Sequence, residues 1–172
     1  MPIKNRLSEM HDEIVGWRRD IHAHPELRFE VHRTAALVAD KLRAFGCDEV
    51  ATNIGQTGIV GVIHGKQNTA GKVIGFRADM DALPILEASG VPHSSTQKGK
   101  MHACGHDGHT AMLLGAAKYL ADTRNFDGTV VVIFQPAEEG GGGARAMIDE
   151  GLMERWNIQE VYGMHNWPGI PV

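Results

Sequence analysis

The residues best suited to chemistry fall in a few short clusters, the densest being His102-Ala103-Cys104-Gly105-His106-Asp107-Gly108-His109. Cysteine thiolate and imidazole are strong ligands for borderline-soft divalent metals. A Cys-x-His pair lets two ligands leave the backbone close together, and Gly105 lets the chain bend between them. Asp107 can orient a ligating imidazole through the nitrogen that does not face the metal. A single histidine here would read as an exposed loop residue. Three histidines, a cysteine and an aspartate within eight residues point instead to a binding site. The competing chemistry is a reactive catalytic cysteine, with histidine at hand to activate it.

The other clusters offer oxygen donors and one more imidazole. In Asp79-Met80-Asp81 two carboxylates stand two residues apart, which on a strand turns both to one side. The plain alternative is a turn pair, since aspartate is a common turn residue. Gln135-Pro136-Ala137-Glu138-Glu139 follows an apolar run, and charge placed next to a buried strand is costly without a partner. A metal supplies that partner: one glutamate ligates while its neighbour takes a proton from the attacking water. Gly140 to Gly143 lack the Gly-Lys-Ser/Thr ending of a phosphate loop and read as a tight turn with close backbone packing. His165, in Met164-His165-Asn166-Trp167-Pro168, would alone read as structural. It gains weight as a further donor beside Cys104, His106 and a glutamate.

Elements that could position these clusters can be read from periodicity. Leu7, Met10, Ile14, Trp17 and Ile21 mark one helical face, ended near His24-Pro25 because proline disfavours helix before it. Leu37, Val38, Leu42 and Phe45 mark a second helix, with Gly46 as its C-terminal stop. Thr110 to Leu120 is apolar and alanine-rich, a buried helix with the Cys-His cluster just before it, and 144–150 is a short helix after the glycines. Residues 59–63, 73–78 and 160–164 read as strands, and 130–134 as a central strand buried on both faces. Residues 87–101 read as a loop. Strands alternating with helices imply a layered α/β domain, whose sites form at the carboxyl ends of its strands.

The 172 residues suffice for one ordinary domain with a real core. The net charge of -4 gives no electrostatic reason to expect nucleic acid or an anionic membrane as partner. No apolar run approaches the roughly 20 residues a membrane span needs. The charged N-terminus lacks a secretory h-region, and two cysteines, Cys47 and Cys104, make no disulfide framework, so a cytoplasmic setting is expected. The chain stops at Ile170-Pro171-Val172, directly after a motif and with no closing element, which reads as a cut.

Taken in order, Asp-Met-Asp-Ala-Leu-Pro (79–84), Met-His-Ala-Cys-Gly-His-Asp-Gly-His-Thr (101–110), Gln-Pro-Ala-Glu-Glu-Gly (135–140) and His-Asn-Trp-Pro-Gly (165–169) resemble the amidohydrolase family of hippurate hydrolases. That family takes in N-acyl-L-amino acid amidohydrolases and indole-acetyl–amino acid hydrolases, a branch of the aminoacylase and carboxypeptidase-like metallopeptidases. His22-Ala23-His24-Pro25-Glu26-Leu27 fits its N-terminal signature. The resemblance implies an α/β/α catalytic domain with a mixed sheet, of which residues 1–172 are the incomplete N-terminal portion. It places an inserted lid domain, through which the protein would form homo-oligomers, and a last metal-binding histidine beyond Val172. It implies two divalent metals, zinc or manganese, with Cys104 bridging and His106, Glu139 and His165 as further ligands. Glu138 would be the general base, with Asp81 at the catalytic centre and Asp79 in support. The implied reaction is hydrolysis of the amide bond of an N-acyl or N-aroyl amino acid. A cysteine-nucleophile hydrolase and a non-catalytic metal-binding module are the alternatives.

Overall fold

The computed structural model describes residues 3–169. Ile170-Pro171-Val172, on which the reading of a severed end rests, lie outside them. Five strands form one mixed sheet in the order β1-β2-β4-β3-β5: β1 (Glu49–Ile54), β2 (Gly58–His64), β3 (Val73–Asp79), β4 (Thr129–Gln135) and β5 (Glu160–Gly163). The β1–β2 and β2–β4 pairs are antiparallel, and β3 runs parallel to both β4 and β5.

The unbroken apolar run of β4 does what such a run implies. Successive side chains alternate, so Val130, Val132 and Phe134 enter one core while Val131 and Ile133 enter the other. The first core is roofed by α2 (His11–Ala23) through Trp17, α3 (His32–Ala44) through Val38 and Leu42, and α4 (His106–Thr123) through Leu114 and Ala117. The second is closed by α5 (Gly143–Asp149) through Met147, α6 (Leu152–Arg155) through Leu152, and the Trp156-to-Ile158 segment after it. Helices thus cover both faces, the α/β/α layering the sequence implied. Full burial of a side chain such as Leu42 or Val132 contributes roughly 1.5–3 kcal/mol, so these two clusters anchor the layers.

Three elements differ from the sequence reading. The first helix is broken at Met10, whose N–H is shared between the carbonyls of Arg6 (3.3 Å) and Leu7 (3.2 Å); α1 (Ile3–Glu9) precedes the break. Strand β1 escapes the periodicity, because it is a half-exposed edge carrying Thr52 and Asn53, with a register shift between Thr52 and Ile54. Helix α4 begins at His106, not Thr110, so the second half of the Cys-His cluster, His106 to His109, lies on the helix. Its buried face continues through His106, His109 and Thr110 into Leu113, Leu114 and Ala117. The face keeps helical spacing but starts with polar residues, which a search for apolar periodicity passes over. Among the described residues, no helix is long and apolar enough to cross a membrane.

Candidate metal centre

Strands β3 and β4 run parallel and end together, with Asp79 paired to Gln135 at the last position of the register. The loops that leave them carry Asp81 and Glu138-Glu139, and the N-terminus of α4 and the segment after β5 close the same end of the sheet. Gly105, at φ 87°, turns the chain into α4 in a conformation that disfavours any residue with a Cβ.

His106 is 1% exposed. Its Nδ1 donates to the main-chain oxygen of Asp81 at 2.7 Å, which leaves the lone pair on Nε2. That Nε2 is buried and has no hydrogen-bond partner. It lies 3.8 Å from Glu139 Oε1 and 3.9 Å from Glu138 Oε2. Ligand atoms of Cys104, His106 and His165 all lie within 4.8 Å of one another, as do those of His106, Glu138 and Glu139. Cys104 Sγ is 3.5 Å from His165 Nε2, and His165 Nδ1 donates to the carbonyl of Asn166 at 2.6 Å. A buried imidazole nitrogen without a hydrogen-bond partner, facing a thiol and the carboxylates of Asp79 (3.7 Å), Glu138 and Glu139, is a donor set that fits divalent metal ions. The expected ligands Cys104, His106, Glu139 and His165 are thus brought together, with Glu138 beside them.

The electrostatics agree with that fit. Burial first, and then the Glu139 carboxylate, push the Cys104 thiol up to about 11. Such a thiol needs a cation to ionise near neutral pH, and metal binding expels its proton. A nucleophilic cysteine needs the opposite surroundings, a positive neighbourhood that lowers its pKa.

Two of the acidic candidates have their carboxylates engaged by hydrogen bonds away from His106 Nε2. Asp81, expected at the catalytic centre, is fully buried, and its carboxylate accepts the main-chain N–H groups of Glu138 (2.8 Å) and Glu139 (3.1 Å). It holds the glutamate turn rather than facing the open side. Asp107, expected to orient a ligating imidazole, instead accepts from His22 Nδ1 (2.8 Å) and Arg18 Nε (3.0 Å). It lies one residue along α4 from His106 and so projects about 100° around the helix. Asp79 is held from both sides: Arg77 Nη1 lies 2.8 Å from one oxygen and His109 Nδ1 2.6 Å from the other. Burial works to raise the Asp79 pKa, but His109, His106 and Arg77 outweigh it and hold the carboxyl below the usual range. Sequence reasoning assigned no role to Arg77, His109 or Asn166. His109 lay within the quoted cluster, three residues from His106 and so on the same helix face.

The model of the peptidase family M20/M25/M40 matches residues 75–172, the stretch that carries every one of these donors. The chain belongs to this family. It is 52% identical over 160 residues to the hippurate hydrolase of Campylobacter jejuni, covering 93% of this chain and 41% of that protein. It is 42% identical to the N-acyl-L-amino acid amidohydrolase of Geobacillus stearothermophilus, covering 96% and 44%. Among solved structures, the Bacillus subtilis YxeP protein, described as a dinuclear metal binding peptidase of the M20 family, superposes with a TM-score of 0.89 at 40% identity, over 96% of this chain and 46% of that one. The chain therefore spans about two-fifths of the length of these M20 relatives.

Proposed function

We propose that this M20 chain supplies metal ligands and the general base of an amidohydrolase that splits N-acyl or N-aroyl amino acids into a carboxylic acid and a free amino acid. The observation that carries the reading is His106 Nε2, buried, unpartnered and facing both glutamates. Cys104, His106, Glu139 and His165 would hold two divalent ions, zinc or manganese. Such ions supply Lewis acidity toward the scissile carbonyl and the attacking water.

The glutamates divide the remaining work. Glu139 is the more enclosed of the two, its side chain 25% exposed against 42% for Glu138, and of the carboxylates it acts most on Cys104. Glu139 is therefore read as the ligand. Glu138, toward the open side, takes a proton from water as the carbonyl is attacked and returns one to the departing amine. The hippurate hydrolase and N-acyl-L-amino acid amidohydrolase relatives support the substrate class. The raised Cys104 pKa weighs against a cysteine nucleophile, and the more exposed Glu138 beside the ligands weighs against a module that only stores metal.

Glu138→Gln should retain metal while hydrolysis of N-benzoylglycine falls on the order of 10²–10⁴-fold. Glu139→Ala should lose metal. Chelation should abolish hydrolysis, and manganese or zinc should restore it. Equal metal loss in both variants would overturn the division of roles, and full activity without metal would overturn the reading itself.

A further inference from the structure

His165 is the weakest-held member of the donor set. It stands just past β5, on an exposed segment, whereas His106 is packed into the first turn of α4. What ties that segment to the site is the neighbouring residue, Asn166. Its main-chain N–H lies 3.0 Å, and its side-chain Oδ1 3.1 Å, from Nε2 of His109. The ring is engaged whether it accepts from the first or donates to the second. Nδ2 of Asn166 donates to the carbonyl of Gly105 at 3.2 Å. A Cβ at Gly105 or Gly108 would come within 2.3 Å or 2.7 Å of the Asn166 side chain, so the start of α4 is hollowed where this residue sits.

On its other side His109 is pinned to buried Asp79 at 2.6 Å. Asp79 pairs with Arg77, and Arg77 Nε donates to Gln135 Oε1 at 2.8 Å. A continuous polar chain thus runs from the tip of β4 through β3 and α4 to the segment after β5. The rings of His109 and His165 meet edge to face with centroids 4.5 Å apart.

Asp79, His106 and His109 could on distance alone form a metal triad of their own. The hydrogen bonds argue otherwise, because both nitrogens of His109 and both oxygens of Asp79 already have partners.

We infer that His109 is a positioning residue: through Asn166 it latches the segment carrying His165 onto α4 and so sets the affinity of the metal site that His165 completes. This rests on the metal reading above. His109 is not a ligand, and its loss should act only where His165 acts.

The test is cobalt(II) titration of the purified protein, followed by the cobalt–thiolate absorption of Cys104, with circular dichroism to check folding. The variants are His165→Ala, His109→Ala, His109→Gln, Asn166→Pro, Asn166→Ala and the double variant His109→Ala/His165→Ala. Asn166→Pro removes both groups that face His109 but also restricts the backbone of His165 before it. Asn166→Ala, which removes only the side-chain contacts to His109 and Gly105, is therefore measured beside it. It should weaken the same ion, and it decides the matter if His109→Ala does not fold. His165→Ala should weaken the more weakly held cobalt ion. His109→Ala and Asn166→Pro should weaken the same ion on the order of 10–100-fold. His109→Gln, which keeps a donor and an acceptor, should recover most of the loss, and the double variant should bind no worse than His165→Ala. If His109→Ala and Asn166→Ala bind as the unaltered protein does while His165→Ala is impaired, the latch is wrong and the metal reading stands. Additive losses in the double variant would make His109 an independent ligand and also overturn it. No cobalt uptake by the unaltered protein would overturn the metal reading and this inference together.

Discussion

Asp81 does its work with a carboxylate that never reaches the open side of the site. One oxygen accepts from the Glu138 N–H and the other from the Glu139 N–H, while its main-chain oxygen accepts from His106. A single buried residue thus sets both the glutamate turn and the imidazole that faces it. Asn at this position has one acceptor oxygen, and its amide nitrogen would confront a main-chain N–H. Asp81→Asn should therefore cost about 1–3 kcal/mol, the usual penalty for an unsatisfied buried group. It should also weaken metal binding although no ligand is altered. Thermal unfolding and cobalt titration of the same variant check the two effects. A variant as stable as the parent with unchanged affinity would mean that the turn holds itself.

The same turn is shaped from its far end by α5. Ala137 is at φ 51°, an uncommon conformation for a residue with a side chain, and its carbonyl accepts from the Gly143 N–H that opens α5. A Cβ on Gly143 would fall 1.7 Å from the carbonyl oxygen of Pro136. That neighbour is backbone and cannot swing aside, so Gly143→Ala must shift either α5 or the segment bearing Glu138 and Glu139. The expected outcome is a clear loss of stability, about 1–3 kcal/mol or more for overpacking, together with weaker metal binding. Gly140→Ala is the control: nothing lies within 4 Å of its Cβ position, and only its φ of 75° opposes the change. That strain costs about 1–2 kcal/mol. Melting temperatures of the two, with metal content, separate the close approach from the backbone conformation.

The fold as a whole also buries a second polar group of residues beneath the loop that precedes α4. His22 donates to Asp107 and contacts Glu87, while both ring nitrogens of His102 lie buried without a partner. Burial pulls the His102 pKa down from 6.5 to about 4. The native state therefore keeps His102 neutral, while the unfolded chain protonates it first as pH falls. Its contribution is fully present above about pH 6.5 and is lost between there and pH 4. Asp107 does most to raise His22, which works in the opposite sense and loses its contribution as pH rises. Comparing the protein with His102→Gln isolates the first effect. Between pH 6.5 and 4 the parent should lose up to about 3 kcal/mol more stability than the variant, because a proton bound only by the unfolded chain is worth about 1.36 kcal/mol for each pH step of one. Parallel stability curves over that range, measured by denaturant titration, would show that His102 is not held neutral.

Residue type singled out Cys104, His106, Glu138, Glu139 and His165 as candidates, because ligand chemistry belongs to the side chains, and the family resemblance divided the roles among them. Residue type and spacing were enough for the layered α/β fold, since β4 is apolar throughout and the helices carry apolar faces. Strand β1 was hidden because an edge strand need not alternate, and the true start of α4 because its buried face opens with histidines. The partners of the polar residues could not be read from the chain at all. Asp81 meets Glu138 and Glu139 across 57 and 58 residues, and Asp107 meets His22 across 85. Whether a carboxylate faces His106, as those of Glu138 and Glu139 do, or main-chain amides, as that of Asp81 does, depends on where β3, β4 and α4 converge. That is a property of the packed sheet and not of local sequence.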